Sequence, residues 1–482
     1  MKFFIVCPRG LEIPLAEELK EISERSEVKA LGAWVIDPPP LNNTGGLGVA
    51  GPMSVALAIS LHSRIASRCL LQMTHVAYRK EDDIYKATRS LSWEDWITPD
   101  QTMRVDLTAH RSPLTSLNFV TLRIKDAVCD RLREVKGARP NIDTELPDVR
   151  VQAHLTATHA TVYLDTSGQS LFKRGWRDDK GAAPLKENLA AGILALTGWK
   201  PEQPLFDPMC GSGTFLIEAA YRGLGIPSGS IRAGLMNPKQ AEEQAVNAQN
   251  LSAKNQDKSQ DKAEPSKFTR YRPTRVDLVG ADQGFGFQRL KPFNTPDLKK
   301  QWDGLCEVAK KNIEQGLANA NKLKMAACDI NENMITIVKN NWKRAGLPAQ
   351  SGVLSNVRQI DALVAKSPFA EPGVILFNPP YGERLEIKGG RDGSERVKGR
   401  GARDALPKNN NSPEFMEFLN QFGKHLKDNF QGWQVDVLTA DMGLPGQVRM
   451  KESKRTPLFN GPLECRLFRF DMKKPDASSS AS

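Results

Sequence analysis

The 482-residue sequence predicts an α/β protein in which a Rossmann-like domain follows an α+β region. Two stretches predict the Rossmann-like domain. An apolar run, Val374–Phe377, has the length and composition of a strand buried in a parallel sheet. Earlier in the chain, Pro204–Ala220 is typical of a short strand, a glycine turn and the start of a helix. The α+β region is indicated by residues 75–165, where strand-like and helix-like segments alternate.

The strand at Val374–Phe377 is predicted to end at Asn378, because Pro379 and Pro380 lack backbone N–H donors and cannot continue a central strand. Ligands of open α/β sheets bind beyond the C-terminal ends of the strands. This rigid turn would therefore present the amide of Asn378, the carbonyl of Pro379 and the ring of Tyr381 to a crevice. An ordinary loop with an Asn-Pro-Pro turn is the alternative that the stretch by itself leaves open.

The glycine turn supports the functional interpretation. Asp207 and Pro208 precede a turn that contains Gly211 and Gly213, and Phe215–Ala220 then begins a helix. Glycine lets the backbone approach a ligand closely. The spacing is neither G-x-G-x-x-G nor that of a P-loop, since no Gly-Lys-Ser/Thr follows.

Together the two motifs resemble those of the S-adenosylmethionine-dependent amino-methyltransferases, which modify exocyclic amines of nucleobases. Over nearly the whole chain, the closest resemblance is to the THUMP-domain-containing guanine-N2 methyltransferases of 23S ribosomal RNA, in a form with one methyltransferase domain. In that family the glycine turn holds the methionine part of the cofactor, and the Asn-Pro-Pro-Tyr turn holds the target amine. The resemblance implies the catalytic residues Asn378, Pro379, Pro380 and Tyr381, and the cofactor-binding residues Asp207, Cys210, Gly211, Gly213 and Thr214.

Two acidic residues complete the predicted cofactor site. Asp329 ends an apolar strand and is placed to accept the ribose hydroxyls of an adenosine, with Asp282 as a competing candidate. Asp361 fits the third-strand acid that the family places against the adenine amino group. An ordinary turn aspartate is the alternative for Asp361.

The resemblance also implies a domain order. Residues 1–50 resemble a ferredoxin-like module that begins with a strand at Phe3–Cys7, and residues 51–165 resemble the THUMP domain, an RNA-binding module. Within the latter, Val55–Met73 is predicted to be an amphipathic helix, and Asn118–Arg133 a basic helix. The basic helix is expected to contact RNA through Arg123, Lys125, Arg131 and Arg133, although most charged helix faces are simply solvated.

Residues 166–200 are predicted to be a linker and a helix along the cofactor cleft. In this segment Lys173, Arg174 and Arg177 flank the aromatic ring of Trp176, an arrangement suited to binding phosphates and stacking on a base. Whether Lys186 and Glu187 contact the cofactor or only cap and pack is left open. The predicted RNA-binding residues are Lys173, Arg174, Trp176 and Arg177.

The methyltransferase domain is predicted over residues 201–473. Polar insertions are expected near residues 250–274 and 388–412, and a disordered tail at 474–482. Relatives from enteric bacteria carry a second methyltransferase domain, and the sequence ends before one, so a second modification is not expected.

Composition limits the partners. The net charge of +11 favours a polyanionic binding partner, although a basic enzyme with no such partner could have the same charge. The seven cysteines form no C-x-x-C pair and the six histidines have no metal-ligand spacing, so reduced thiols and no metal site are expected. With no targeting or membrane-spanning segment recognised, we expect a cytoplasmic protein.

Guanine-N2 methylation of 23S ribosomal RNA is thus the function that the resemblance favours. The alternatives are a guanine-N2 methyltransferase of transfer RNA, an adenine-N6 nucleic-acid methyltransferase, and a non-catalytic RNA-binding assembly factor. The oligomeric state is not predicted.

Overall fold

A computed structural model describes residues 1–40, 44–177, 185–237, 284–379 and 413–473. Its contacts divide the chain into two units. The first contains Met1–Gly192, Tyr221–Ala320 and Asn340–Ala349, and the second contains Ile193–Ala220, Asn321–Lys339 and Gln350–Ser482. Residues 221–237 and 284–320, which the sequence assigns to the methyltransferase domain, therefore belong to the same unit as the N-terminal region. The predicted insertions near 250–274 and 388–412, the tail and Asp282 lie outside the described residues.

The strands of the first unit form one sheet, which within the described ranges has eight strands in the order β2-β3-β1-β4-β8-β7-β5-β6. All its pairs are antiparallel except β5 with β6 and β5 with β7. Because β1 pairs with both β3 and β4, residues 1–50 and 51–165 share this sheet. The strands are β1 (Lys2–Val6), β2 (Val35–Ile36), β3 (Gly46–Ala50), β4 (Arg68–Ala77), β5 (Thr102–Ala109), β6 (Asn141–Ile142), β7 (Val149–Leu155) and β8 (His159–Asp165).

The second sheet has the order β11-β10-β9-β12-β13-β15-β14. It is parallel except for β15, which runs antiparallel to β13 and β14. The strand order reverses between β9 and β12, which is the topological switch point of a doubly wound sheet. The strands are β9 (Leu205–Asp207), β10 (Met325–Asp329), β11 (Val357–Gln359), β12 (Val374–Phe377), β13 (Gln434–Thr439), β14 (Lys454–Asn460) and β15 (Leu463–Asp471).

Helices cover the sheets. In chain order they are α1 (Glu12–Glu24), α2 (Ser26–Lys29), α3 (Ser54–His62), α4 (Glu81–Arg89), α5 (Leu117–Lys136), α6 (Glu187–Thr197), α7 (Thr214–Gly223), α8 (Pro296–Ala318), α9 (Glu332–Arg344), α10 (Gly352–Ser355), α11 (Pro413–Asn429) and α12 (Leu444–Gln447). In the second unit, α11 buries Phe415, Leu419, Phe422 and Leu426 in a core that also contains Ile375 and Phe377 of β12.

The predicted amphipathic helix at Val55–Met73 is wrong in length and character. All nine residues of α3 are buried, and the helix ends at His62. Glu18 accepts hydrogen bonds from the Ser63 hydroxyl (2.6 Å) and the Arg64 amide (2.8 Å), which holds the chain as it leaves the helix. Residues 68–73 of the predicted helix belong instead to β4, which pairs with β1 and β8.

Candidate active site

The two motifs leave the second sheet from neighbouring strands. β9 pairs in parallel with β12, with Leu205 opposite Val374 and Phe206 opposite Ile375. Asp207 is the last residue of β9, and Asn378 follows the last residue of β12. Both motifs therefore emerge at the C-terminal edge of the sheet, on the two sides of the switch point. The predicted strand at 374–377 and the helix after the glycine turn are confirmed.

The glycine turn has a backbone that favours glycine. Gly211 has φ +51° and Gly213 has φ +80°, both in the left-handed region. A Cβ on Gly213 would lie 2.8 Å from Cγ1 of Val338, so this glycine is required by packing against α9. A Cβ on Gly211 would meet nothing within 4 Å. Open space in front of Gly211 is what a turn that contacts a ligand through its backbone requires.

Asp329 connects this turn to the neighbouring strand β10. Its Oδ2 accepts a hydrogen bond from the Gly211 amide (2.9 Å), and its Oδ1 accepts one from the Asn331 amide (2.9 Å). Each carboxylate oxygen has a second lone pair. Asp329 can therefore hold the glycine turn and still has lone pairs available, and its contact with ribose hydroxyls stays a prediction.

Asp207 and Cys210 are buried at the base of the turn. Burial, and secondarily the charge of Asp329, raises the pKa of Asp207 well above its usual value, while its Oδ1 accepts a hydrogen bond from the Met209 amide (3.1 Å). Burial also raises the pKa of the Cys210 thiol, so no thiolate nucleophile is available there. Thr214, almost fully buried, begins α7 directly after Gly213. A cationic ligand beside Asp207 would favour its ionised form.

The third strand contributes Asp361, which lies two residues beyond the end of β11. Its Oδ1 accepts a hydrogen bond from the Leu363 amide (2.9 Å), and the pairing of β10 with β11 brings it to the same edge as Asp329. Sequence reasoning missed two apolar neighbours of these acids, Ile330 and Val364, which are 68% and 67% exposed. Apolar side chains beside carboxylates suit a heterocycle with apolar faces and a polar edge.

Asn378 has an incomplete set of hydrogen bonds. Its Oδ1 is buried and has no hydrogen-bond partner in the part of the chain that the structure describes. Pro379 is buried beside it, whereas Pro380 and Tyr381 lie outside the described residues. A buried amide oxygen without a partner is rare in native proteins. It is an acceptor that a donor on a bound molecule could satisfy.

The predicted RNA-binding group at the junction is contradicted in part. The ring of Trp176 is fully buried, so it cannot stack on a base. Arg174 is 2% exposed and donates hydrogen bonds to the carbonyls of Leu171 (2.8 Å) and Arg64 (2.5 Å). The pattern of cations around an aromatic residue predicts that both side chains are exposed, but tertiary contacts bury them.

Arg177 forms an ion pair with Glu187 (2.8 Å), and Lys186 lies over the ring of Phe172. Lys173 is exposed. Its contact with RNA stays a prediction, and whether Lys186 and Glu187 contact the cofactor stays open.

Two negative findings concern only the residues that the structure describes. Among them, no group of three or more His, Cys, Asp or Glu side chains is arranged to hold a metal ion. None of the described helices is long and apolar enough to cross a bilayer.

The fold and the two strand-end motifs define a Rossmann-like methyltransferase domain. In agreement, residues 174–392 match the family described as "RMKL-like, methyltransferase domain", and residues 78–165 match the THUMP domain. The chain therefore combines a THUMP domain with a methyltransferase domain that is similar to the RMKL-like one. The methyltransferase class, and with it S-adenosylmethionine as cofactor, is confirmed.

Relatives with similar sequences extend over nearly the whole chain. A ribosomal RNA large subunit methyltransferase K/L of Syntrophotalea carbinolica is 31% identical over 98% of this chain and 54% of its own length. The chain thus spans about half the length of several such relatives. A provisionally described RNA methyltransferase of Synechocystis, slr0064, is 28% identical over 98% of this chain and 96% of its own length.

The fold also matches a solved structure. SMU.472, provisionally described as a methyltransferase and crystallised with SAH, superimposes with a TM-score of 0.67 at 22% identity, covering 98% of this chain and 99% of its own. At this identity the similarity establishes the fold.

Proposed function

We propose that this protein transfers a methyl group from S-adenosylmethionine to the exocyclic N2 amine of a guanine in 23S ribosomal RNA. The observation that carries the proposal is the buried Oδ1 of Asn378 at the end of β12, one strand from the glycine turn, which has no hydrogen-bond partner among the described residues. An exocyclic amine is a hydrogen-bond donor that needs such an acceptor. Pro379 follows in the buried turn and offers its backbone carbonyl as a second one.

These acceptors address the chemical difficulty of the reaction. The lone pair of a base amine is delocalised into the ring, so the amine is a poor nucleophile. When S-adenosylmethionine is bound, it supplies an electrophilic methyl group on a sulfonium. Acceptors at Asn378 and Pro379 favour a localised lone pair and stabilise the positive charge that develops on nitrogen. The proton becomes acidic once the methyl is attached, so this site needs no dedicated carboxylate base.

The residues of the switch point fit the cofactor. Gly211 leaves open space where the methionine part would lie, and Asp207 beneath the turn would gain from a nearby positive charge. Asp329 and Asp361 offer acceptors to ribose and adenine at adjacent strand ends. Holding amine and methyl in line is expected to supply much of the remaining acceleration.

An RNA substrate is supported by three observations. The chain carries a THUMP domain, its charge is +11, and relatives over its whole length are described as RNA or ribosomal RNA methyltransferases. The N2 of a paired guanine is hidden in the helix, so the base must be unpaired or flipped out before it reaches Asn378. Tyr381 is the residue predicted to stack on it.

The test is nucleoside mass spectrometry of ribosomal and transfer RNA from a strain that lacks the gene. We expect one N2-methylguanosine to disappear from 23S ribosomal RNA and to return with the wild-type gene but not with Asn378→Ala. Loss from transfer RNA, or loss of an N6-methyladenosine, would replace the proposed substrate. An unchanged profile would support the non-catalytic alternative.

A further inference from the structure

The sheet of the first unit has helices on one face. Residues paired in register point to the same side of a sheet, and alternate residues point to opposite sides. Phe3 of β1, Leu71 of β4, Leu164 of β8 and Val151 of β7 lie side by side in register, and all four are buried. Helices α1, α3, α4 and α5 pack on β3, β4 and β5 and cover this side.

The opposite side carries polar and aromatic residues. Most of its side chains are exposed or half-buried. We call this area the open face. It is formed by Phe4, His75, Arg104, Asp106, Arg150, His159 and Tyr163. Its aromatic side chains lie in pairs, since the rings of Phe4 and Tyr163 are 6.2 Å apart and those of His75 and His159 are stacked at 4.8 Å.

The open face has an excess of positive charge at β5 and β7. Arg104 lies directly opposite Arg150 in the parallel pair. Both guanidinium groups share one carboxylate, Asp106, at 2.7 and 3.4 Å. Like charges opposite each other destabilise a sheet. Burial, and then the charge of Arg68, lowers the pKa of Arg150, while the charges of Asp106 and Asp165 oppose this shift. One carboxylate at ion-pair distance gives the two guanidinium groups only partial neutralisation. An anion between the two arginines would complete it.

The cations on helix α5, on the other side of the sheet, are more fully neutralised. Each of the four cations that the sequence analysis assigned to RNA contact on α5 has its own carboxylate. Arg123 pairs with Asp82, Lys125 with Asp126, Arg131 with Glu94 and Arg133 with Asp130. The basic appearance of α5 in the sequence is therefore largely neutralised in the fold. The predicted RNA-contacting role of this helix is not supported by its charge pairing.

We propose that the open face binds a single-stranded segment of the substrate RNA, with a backbone phosphate between Arg104 and Arg150 and unpaired bases on the aromatic pairs. The proposal rests on the proposed function in taking RNA as the substrate. It commits to RNA because two guanidinium groups that share one carboxylate match phosphate, and the partly exposed rings on the adjoining sheet surface match bases. A folded protein partner would be an alternative outcome of the test.

The test measures binding of the full chain to protein-free 23S ribosomal RNA as a function of salt concentration. In Arg104→Gln/Arg150→Gln we expect the slope of log affinity against log salt to become shallower by about 0.7, because the contact to one phosphate of a single strand is lost. Tyr163→Leu should weaken binding on the order of tenfold with an unchanged slope, because base stacking is largely independent of salt. The matched control is Arg123→Gln/Arg133→Gln on α5, which removes the same formal charge.

Asp106→Asn is the complementary variant. It removes only the competing carboxylate, so RNA affinity should rise. Wild-type slopes in Arg104→Gln/Arg150→Gln and unchanged affinity in Asp106→Asn would overturn the proposal, as would a slope that falls equally in the α5 control. A stable complex with a protein in place of RNA would overturn it too. If the wild-type chain methylates RNA but these results are obtained, the proposed function stands and only the open face is wrong. If the wild-type chain binds no RNA, the proposed function fails as well.

Discussion

Asn378→Ala should lower activity without lowering the stability of the free protein. In the free enzyme the Asn378 Oδ1 is buried without a partner among the described residues, and such a group costs about 1–3 kcal/mol of desolvation. Removing it leaves the free energy of unfolding unchanged or raises it by up to that amount. For a unit of this size each 1 kcal/mol corresponds to roughly 2–4 °C in Tm. Most buried polar-to-alanine changes have the opposite sign.

The catalytic effect should be large and confined to the chemical step. The acceptor strengthens its interaction as positive charge develops on the amine, so its loss lowers kcat more than it raises KM. Comparable single-group deletions cost on the order of 10²- to 10³-fold, or about 2.7–4 kcal/mol. Single-turnover methyl transfer to RNA measures this step, calorimetry gives the affinity for S-adenosylmethionine, and thermal unfolding gives the stability.

Asn420→Ala is the matched control, because Asn420 Oδ1 on α11 is likewise buried and without a partner in the described part of the chain. It should leave kcat unchanged. Asn378→Asp, which keeps an acceptor and adds charge, should retain some activity. Full activity of Asn378→Ala would refute the catalytic role. A loss of 2 kcal/mol or more of stability would show that the oxygen already has a partner in the free protein.

Other substitutions probe the glycine turn and the buried histidine. Gly211→Ala and Gly213→Ala both strain a left-handed backbone, but only the Cβ on Gly213 would meet Val338. Gly211→Ala should therefore fold but lose cofactor affinity in calorimetry, and Gly213→Ala should have the lower Tm of the two; equal Tm values would contradict this contrast. His62 is buried, and burial, with the charges of Arg25 and Arg64, lowers its pKa to about 3. Since the unfolded chain binds a proton near pH 6.5 and the folded protein does not, stability should fall on acidification below that pH, by about 2 kcal/mol at pH 5. His62→Leu should flatten the Tm profile between pH 7 and 5, and an unchanged slope would exclude this histidine as the cause.

The parts of the site that the sequence predicted correctly have local causes. The strand at Val374–Phe377 ends where two prolines remove donors, and the turn at Gly211 and Gly213 needs left-handed backbone. Both signals are contained in a few consecutive residues. The strand β4 is not evident from the sequence, because residues 55–73 contain no glycine or proline that would mark the end of a helix. In the fold, the Ser63 hydroxyl donates a hydrogen bond to Glu18, which is distant in sequence, just after the helix ends.

Tertiary pairing explains the remaining errors. A tryptophan between arginines gives the same sequence pattern whether its ring is exposed or buried. Only the fold shows that the ring of Trp176 is buried. The cations of α5 are similar, because Asp82 and Glu94, which neutralise two of them, lie outside that helix. The sequence also gives no reason to distinguish Gly211 from Gly213. The difference depends on Val338, more than 100 residues away along the chain.

The same principle connects the two proposals. A folded chain normally satisfies its buried acceptors and balances its partly buried charges, because failure to do either costs stability. Within the described ranges the Oδ1 of Asn378 has no hydrogen-bond partner, and Arg104 and Arg150 share one carboxylate, that of Asp106. Neither arrangement helps the free protein. An amine donor would satisfy the first and a phosphate would neutralise the second, and a guanine nucleotide within an RNA strand brings both groups. Each feature therefore lowers the stability of the free protein while favouring the complex with the same class of substrate.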